Sequence, residues 1–174
     1  MLLLVSGRAA HAQVAPYAML SLGHYSGLGV GPGTAPTQSN GITSRGGTFG
    51  IFYDRYHAGP LGVGADMRAI IENSSNSGPY GNKTAGFLIG PRATINTVVL
   101  PFRPYVQVEI GGIGTNNGTQ PNKDTHFGYQ FQFGADYTLI PHVAARAEYG
   151  VGQLSTDGGK HTLQTFGLGL VVRL

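Results

Sequence analysis

Hydrophobic and polar residues alternate along nearly the whole chain from residue 14 onward, and no segment shows a convincing helical period of 3.6 residues. This alternation is typical of β-strands whose two faces meet different environments. It predicts eight strands, over residues 14–26, 47–56, 61–73, 84–97, 103–114, 126–138, 143–154 and 161–174. Tight turns are predicted at 57–60, 98–102 and 139–142, and longer polar loops at 27–46, 74–83, 115–125 and 155–160.

The two faces of the predicted strands differ in composition, and this difference identifies the solvent on each side. In the strand at 126–138, Phe127 and Phe133 share one face, whereas Gln132 and Asp136 share the other. The polar faces contain glycine, carboxylates and arginine but no lysine, as expected for a narrow lumen in which arginine pairs with carboxylates. The opposite faces are apolar and suit lipid. With an even strand number and alternating loop lengths, this pattern predicts an all-β fold, an eight-stranded antiparallel up-and-down transmembrane β-barrel.

The charged residues of the polar faces are predicted to form a network inside the lumen. Because an eight-stranded barrel is just wide enough for side chains to fill its interior, we expect these charges to pair and plug the bore. A path for ions or solutes through the lumen is the alternative. The predicted lumenal charge network consists of Asp54, Asp66, Arg68, Glu72, Arg92, Arg103, Glu109, Asp136, Arg146, Glu148 and Arg173.

Composition narrows the remaining classes of protein. The length of 174 residues suits one barrel domain, at 13–174, after a segment at 1–12 that we interpret as the remnant of a signal peptide. The absence of cysteine excludes disulfide scaffolds, cysteine nucleophiles and thiolate metal sites. The net charge is only +3 and the three lysines are far apart, which argues against binding to nucleic acid. We expect no cofactor and no metal site.

Several stretches resemble the small eight-stranded outer-membrane barrels of Gram-negative bacteria, the OmpA-like and opacity-porin-like group. They are residues 14–17, 133–142 and 146–149. The last strand is similar to the C-terminal signal of that group, although it ends in Leu174 where the group usually has an aromatic residue. The predicted assembly signal is Phe166, Leu168, Leu170, Val172 and Leu174. The resemblance implies a monomer in the outer membrane that contacts lipids, lipopolysaccharide and the barrel-assembly machinery.

The expected function is therefore that of a non-enzymatic integral outer-membrane protein with a structural role, or with surface contacts made through its loops to an unknown ligand. One alternative is a narrow channel for small or apolar solutes. Another is a lipid A hydrolase, because His24 and Ser26 resemble the His-x-Ser arrangement of outer-membrane deacylases, although no outward acidic residue is predicted on the neighbouring strands. The third alternative is a soluble ligand-binding barrel, similar to a lipocalin, with its apolar face inward.

Overall fold

The computed structural model describes residues 13–26, 42–74, 82–96, 101–115, 124–156 and 159–174, so the predicted signal remnant at 1–12 lies outside the described residues. Eight antiparallel strands form one closed barrel in which sequence neighbours pair and β1 closes onto β8. The strands are β1 (Gln13–Tyr25), β2 (Ile42–Ala58), β3 (Leu61–Ser74), β4 (Asn82–Ile95), β5 (Phe102–Thr115), β6 (Asp124–Ile140), β7 (Val143–Thr156) and β8 (Gly159–Val172). The predicted fold class is confirmed. In the described part of the chain, no helix has the length and apolarity needed to cross a bilayer.

Two ends of the barrel are distinguished by their connections. We call the end that carries the β1–β2, β3–β4, β5–β6 and β7–β8 connections the loop end, and the end at which β1 begins and β8 ends the terminal end. At the terminal end, Gly59 and His142 take positive φ angles of 62° and 70° in two-residue turns. The ladder continues past β8, because the Leu174 amide donates a hydrogen bond of 3.0 Å to the carbonyl of Val14.

Some predicted strand boundaries are wrong. The strand predicted at 47–56 begins at Ile42, because Gly46, expected in a loop, pairs with Ser21 on β1 and Glu72 on β3. Gly46 sits where two backbones approach so closely that a Cβ atom would overlap the Ile71 carbonyl oxygen. The loop predicted at 155–160 is also too long, because pairing of Thr156 with Gly159 leaves only 157–158 between the paired strands.

The two surfaces of the barrel are inverted relative to a soluble protein. On the outer face Leu20 is 79% exposed, and every strand contributes at least one large exposed hydrophobic side chain, most of which are Phe, Leu, Ile or Val. On the inner face Arg146 is 1% exposed and Glu109 is 0% exposed. This arrangement excludes a soluble barrel with an apolar interior and is the one that a hydrocarbon solvent requires.

Two lumenal tyrosines each lie over a glycine of the neighbouring strand. Tyr17 is paired with Gly50 across β1 and β2, and Tyr105 is paired with Gly134 across β5 and β6. A Cβ atom at either glycine would overlap the end of the tyrosine ring. Glycine is therefore required at these positions because it leaves the space into which each ring folds.

We predict that Gly50→Ala lowers the free energy of unfolding by about 1–3 kcal/mol, because the added methyl group forces Tyr17 out of its position. The matched control is Gly47→Ala on the lipid-facing side of the same strand, where a Cβ atom would lie 3.1 Å from Phe49 and the ring has room to move. Urea unfolding of both variants in phospholipid vesicles measures the difference. Equal stability of the two variants would contradict the role given to Gly50.

Candidate functional site

The lumen holds the charged residues that the sequence indicates. Ten of the eleven residues of the predicted network are buried on the inner face of the barrel. They are Asp54, Asp66, Arg68, Glu72, Arg92, Glu109, Asp136, Arg146, Glu148 and Arg173. The remaining residue, Arg103, is half-buried and lies opposite Asp136 in the register of β5 and β6. The structure divides most of these residues into two clusters.

The first cluster is centred on Arg68 and joins three strands across the barrel axis. We call Asp66, Arg68, Glu109 and Glu148 the Arg68 cluster. The guanidinium forks onto Glu148, with Nη1 2.5 Å from Oε1 and Nη2 3.1 Å from Oε2. Its Nε lies 2.9 Å from Glu109 Oε1 and 3.4 Å from Asp66 Oδ1. One arginine therefore faces three carboxylates, and the cluster has a formal charge of −2.

Three glutamines extend the Arg68 cluster towards β8. Gln107 and Gln132 donate hydrogen bonds of 3.0 Å and 2.9 Å to the two carboxylate oxygens of Glu109. Gln132 also donates to Gln130 at 3.0 Å, and Gln130 donates to the hydroxyl of Thr165. Because buried polar groups are costly unless they are paired, this chain of amides fixes the carboxylate of Glu109 in one position.

The second cluster is centred on Asp136 and has the opposite charge. We call Asp54, Arg92, Asp136, Arg146 and Arg173 the Asp136 cluster. Arg146 binds Asp136 through two parallel hydrogen bonds of 2.8 Å and 3.1 Å. Arg92 and Arg173 approach the same carboxylate to 3.4 Å and 3.6 Å, and Arg92 lies 3.9 Å from Asp54. Three guanidiniums therefore face two carboxylates, and the formal charge is +1.

An aromatic layer of Tyr17, Phe52 and Tyr105 separates the two clusters. The hydroxyls of Tyr17 and Tyr105 each donate a hydrogen bond of 2.7 Å to a carboxylate of the Arg68 cluster. The ring faces contact the Asp136 cluster, with Arg92 Cζ 3.7 Å from the Tyr105 centroid and Arg146 Cζ 4.3 Å from the Tyr17 centroid. Each tyrosine thus offers its donor to a carboxylate and its negative ring face to a cation.

The lumen also contains an apolar ring at the loop end that the sequence analysis missed. Its members are buried side chains from six strands, and they close the bore above the Arg68 cluster. The apolar ring consists of Tyr25, Ile70, Leu88, Ile113, Leu154 and Leu163. Strict alternation along each strand already places these residues on the inner face, as it does the aromatic layer. The signal was overlooked because apolar residues were expected to face lipid.

Glu72 differs from the predicted pairing of carboxylates with arginines. Its Oε2 accepts hydrogen bonds from the hydroxyl of Ser44 at 2.5 Å and from that of Tyr25 at 3.0 Å. Within the described ranges, no arginine or lysine forms an ion pair with it, although it is only 1% exposed. Glu72 is therefore a buried carboxylate held by hydroxyls at the level of the apolar ring.

The outer face carries the other residues that the sequence analysis singled out. His24 Nδ1 lies 3.2 Å from the Thr43 hydroxyl, whereas the Ser26 hydroxyl donates to the carbonyl of Thr162 at 3.3 Å and accepts from its amide at 3.1 Å. Ser26 thus caps the β1–β8 ladder. No group of three or more potential metal-ligating side chains is found among the described residues. The predicted assembly signal lies exposed on the outer face of β8 and comprises Phe166, Leu168, Leu170, Val172 and Leu174.

An apolar outer face around a lumen filled with paired charges defines a transmembrane β-barrel of an outer membrane. The model of the outer membrane protein β-barrel domain matches residues 1–173, and the chain belongs to that family. Its location is the cell outer membrane. Comparison with curated protein sequences gives no match.

Solved structures of small outer-membrane barrels share this fold. Neisserial surface protein A (NspA) is 14% identical with a TM-score of 0.67, and the match covers 92% of this chain and 97% of NspA. Ail, the attachment invasion locus protein of Yersinia pestis, is 10% identical with a TM-score of 0.59, covering 94% and 99%. OprG from Pseudomonas aeruginosa is 10% identical with a TM-score of 0.53, covering 95% and 97%. At these identities the likeness concerns the fold.

We predict that Arg68→Met lowers the free energy of unfolding by about 3–5 kcal/mol, because it leaves three buried carboxylates without their cation. Arg68→Lys keeps the charge but cannot fork onto Glu148, and we expect a smaller loss. Equilibrium urea unfolding in vesicles measures both. A variant Arg68→Met as stable as the unaltered barrel would show that the Arg68 cluster does not hold the lumen together.

Proposed function

We propose that the protein is a non-enzymatic barrel that contributes to the structure of the outer membrane and makes contacts at its loop end, with a lumen closed to solutes. The observation that carries this proposal is the continuous filling of the bore. The apolar ring, the Arg68 cluster, the aromatic layer and the Asp136 cluster follow one another along the axis. A solute would have to break bidentate ion pairs in both clusters to pass.

The alternatives require features that compete with this packing. A channel for apolar solutes is favoured by the apolar ring at the loop end, yet such a solute would meet buried charges directly below it. A hydrolase would need a base beside the hydroxyl of Ser26, but that hydroxyl is engaged with the backbone of Thr162. We therefore place the function on the outside of the barrel. The name of Ail, attachment invasion locus protein, describes a surface role for a barrel of this fold.

Planar-bilayer recording tests the closed lumen. We expect the refolded protein to give no stable conductance step, because the ion pairs and the apolar ring lie across the path that an ion would have to take. A porin of about sixteen strands, whose lumen is an aqueous channel, serves as the positive control under the same conditions. Stable, reproducible openings of the refolded protein would contradict a closed lumen and favour the channel.

We also propose that phosphate groups of lipopolysaccharide bind the outer face at the loop end. Leu22, Arg45, Asn73 and Lys83 form one row across β1 to β4, with both cations exposed. Every carboxylate whose side chain the structure describes lies on the inner face, so no described carboxylate repels an anion on the outer face. The exposed residues of β8 remain our proposed contact with the barrel-assembly machinery.

We predict that the double substitution Arg45→Gln/Lys83→Gln removes about 2 kcal/mol of the stabilisation that lipopolysaccharide gives, at about 1 kcal/mol for each cation near an anionic surface. The control is Arg55→Gln, an exposed arginine on β2 at the terminal end. Thermal unfolding in micelles with and without lipopolysaccharide measures the stabilisation. An equal response of both variants would exclude this row as the binding site.

A further inference from the structure

Buried charge in the lumen is not balanced among the described residues. The Arg68 cluster and Glu72 together contain four carboxylates and one guanidinium. The Asp136 cluster has one guanidinium more than it has carboxylates, and it lies beyond the aromatic layer. An excess of buried negative charge is unfavourable unless a cation or a proton offsets it.

Eight buried side-chain atoms of the described residues have no hydrogen-bond partner, and three of them are oxygens of Asp66, Glu72 and Ser21. Two of these three residues, Glu72 and Ser21, line one cavity. The Oε2 atom of Glu72 is held by Ser44 and Tyr25, but its Oε1 atom is buried and has no partner. The hydroxyl of Ser21, a residue that is 5% exposed, is likewise buried without a partner. Buried polar groups of native proteins are rarely left in this state, so both atoms point to an occupant.

Both residues line the same small cavity. The side chains of Thr48, Gln130, Gln132 and Thr165 form further parts of its polar wall. Arg68 and Glu148 also line the cavity, and the guanidinium of Arg68 is already paired with the Glu148 carboxylate. The centre of a water-sized particle has about 10 Å³ in which to move, so the cavity has room for one particle of that size. Its walls come from β1, β2, β3, β6, β7 and β8, and an occupant would therefore tie strands together across the axis.

We propose that this cavity binds one monovalent cation of the size of Na⁺, with Glu72 Oε1 and Ser21 Oγ among its ligands. A water molecule would fill the space but would not offset the charge. Ca²⁺ takes six to eight oxygen ligands, and Mg²⁺ keeps several of its water molecules when it binds. Neither ion suits this cavity, because it has room for one particle and offers one carboxylate oxygen without a partner. The ion holds Glu72 against Ser44 and Tyr25, and so stabilises the loop end of the lumen.

Thermal unfolding of the refolded full chain in micelles tests the proposal, with NaCl exchanged for N-methylglucamine chloride at constant ionic strength and pH. We expect a saturable rise in the unfolding midpoint, by about 5 °C when Na⁺ is roughly a hundredfold above its dissociation constant. Glu72→Gln, which keeps the shape, should abolish the rise, and Ser21→Ala, which keeps the charge, should weaken it. Asp54→Asn, a buried carboxylate of the Asp136 cluster, is the control that should retain it.

Four results would overturn the proposal or its assignment to a monovalent ion. One is an unfolding midpoint that is the same in both salts. Another is a response to Na⁺ that does not saturate and persists in Glu72→Gln, which would be ordinary screening. The third is an infrared band of a protonated carboxylic acid that is present in the unaltered barrel and lost in Glu72→Gln, because a proton would then neutralise the site. A midpoint that responds to Ca²⁺ but not to Na⁺ would overturn the monovalent assignment.

Discussion

A chain that lies in hydrocarbon has to satisfy its backbone N–H and C=O groups within itself, and the closure of β1 onto β8 meets this constraint. The pairing of Tyr17–Tyr25 with Leu163–Val171 leaves no open edge along this seam. Closure also gives every strand one face towards lipid and one towards a bore only a few side chains wide. Leu20 outside and Arg146 inside follow from that geometry.

The narrow bore makes each lumenal side chain depend on its neighbours. Tyr17 and Tyr105 link the two ionic clusters, because each donates from its hydroxyl to a carboxylate and presents its ring to an arginine. Their rings fit only because Gly50 and Gly134 lie beneath them. The glycines that weaken an ordinary sheet thus allow a lumen in which guanidiniums and carboxylates meet at hydrogen-bonding distance.

Our proposals follow from a lumen packed in this way, since they assign function to the outside of the barrel and to a small occupant within it. The apolar ring and the ion pairs lie across the bore, whereas the cations Arg45 and Lys83 of the loop end are exposed on the outer face, where we propose that they bind phosphate groups of lipopolysaccharide. Glu72 is one of the positions at which hydrogen bonding in the lumen is incomplete, since one of its carboxylate oxygens has no partner among the described residues. An ion of the solution could complete this site without opening the bore.

The sequence by itself determined the number of strands and the faces on which Arg68, Arg92 and Asp136 lie, because lipid and lumen impose a period of two on every strand. It could not determine which charges meet. Arg68 binds Glu148, which is 80 residues away and on a strand that is not its neighbour. That contact depends on the shear and register of the closed barrel, which are properties of all eight strands together. The same geometry leaves Glu72 bound to the Ser44 hydroxyl and without an arginine partner.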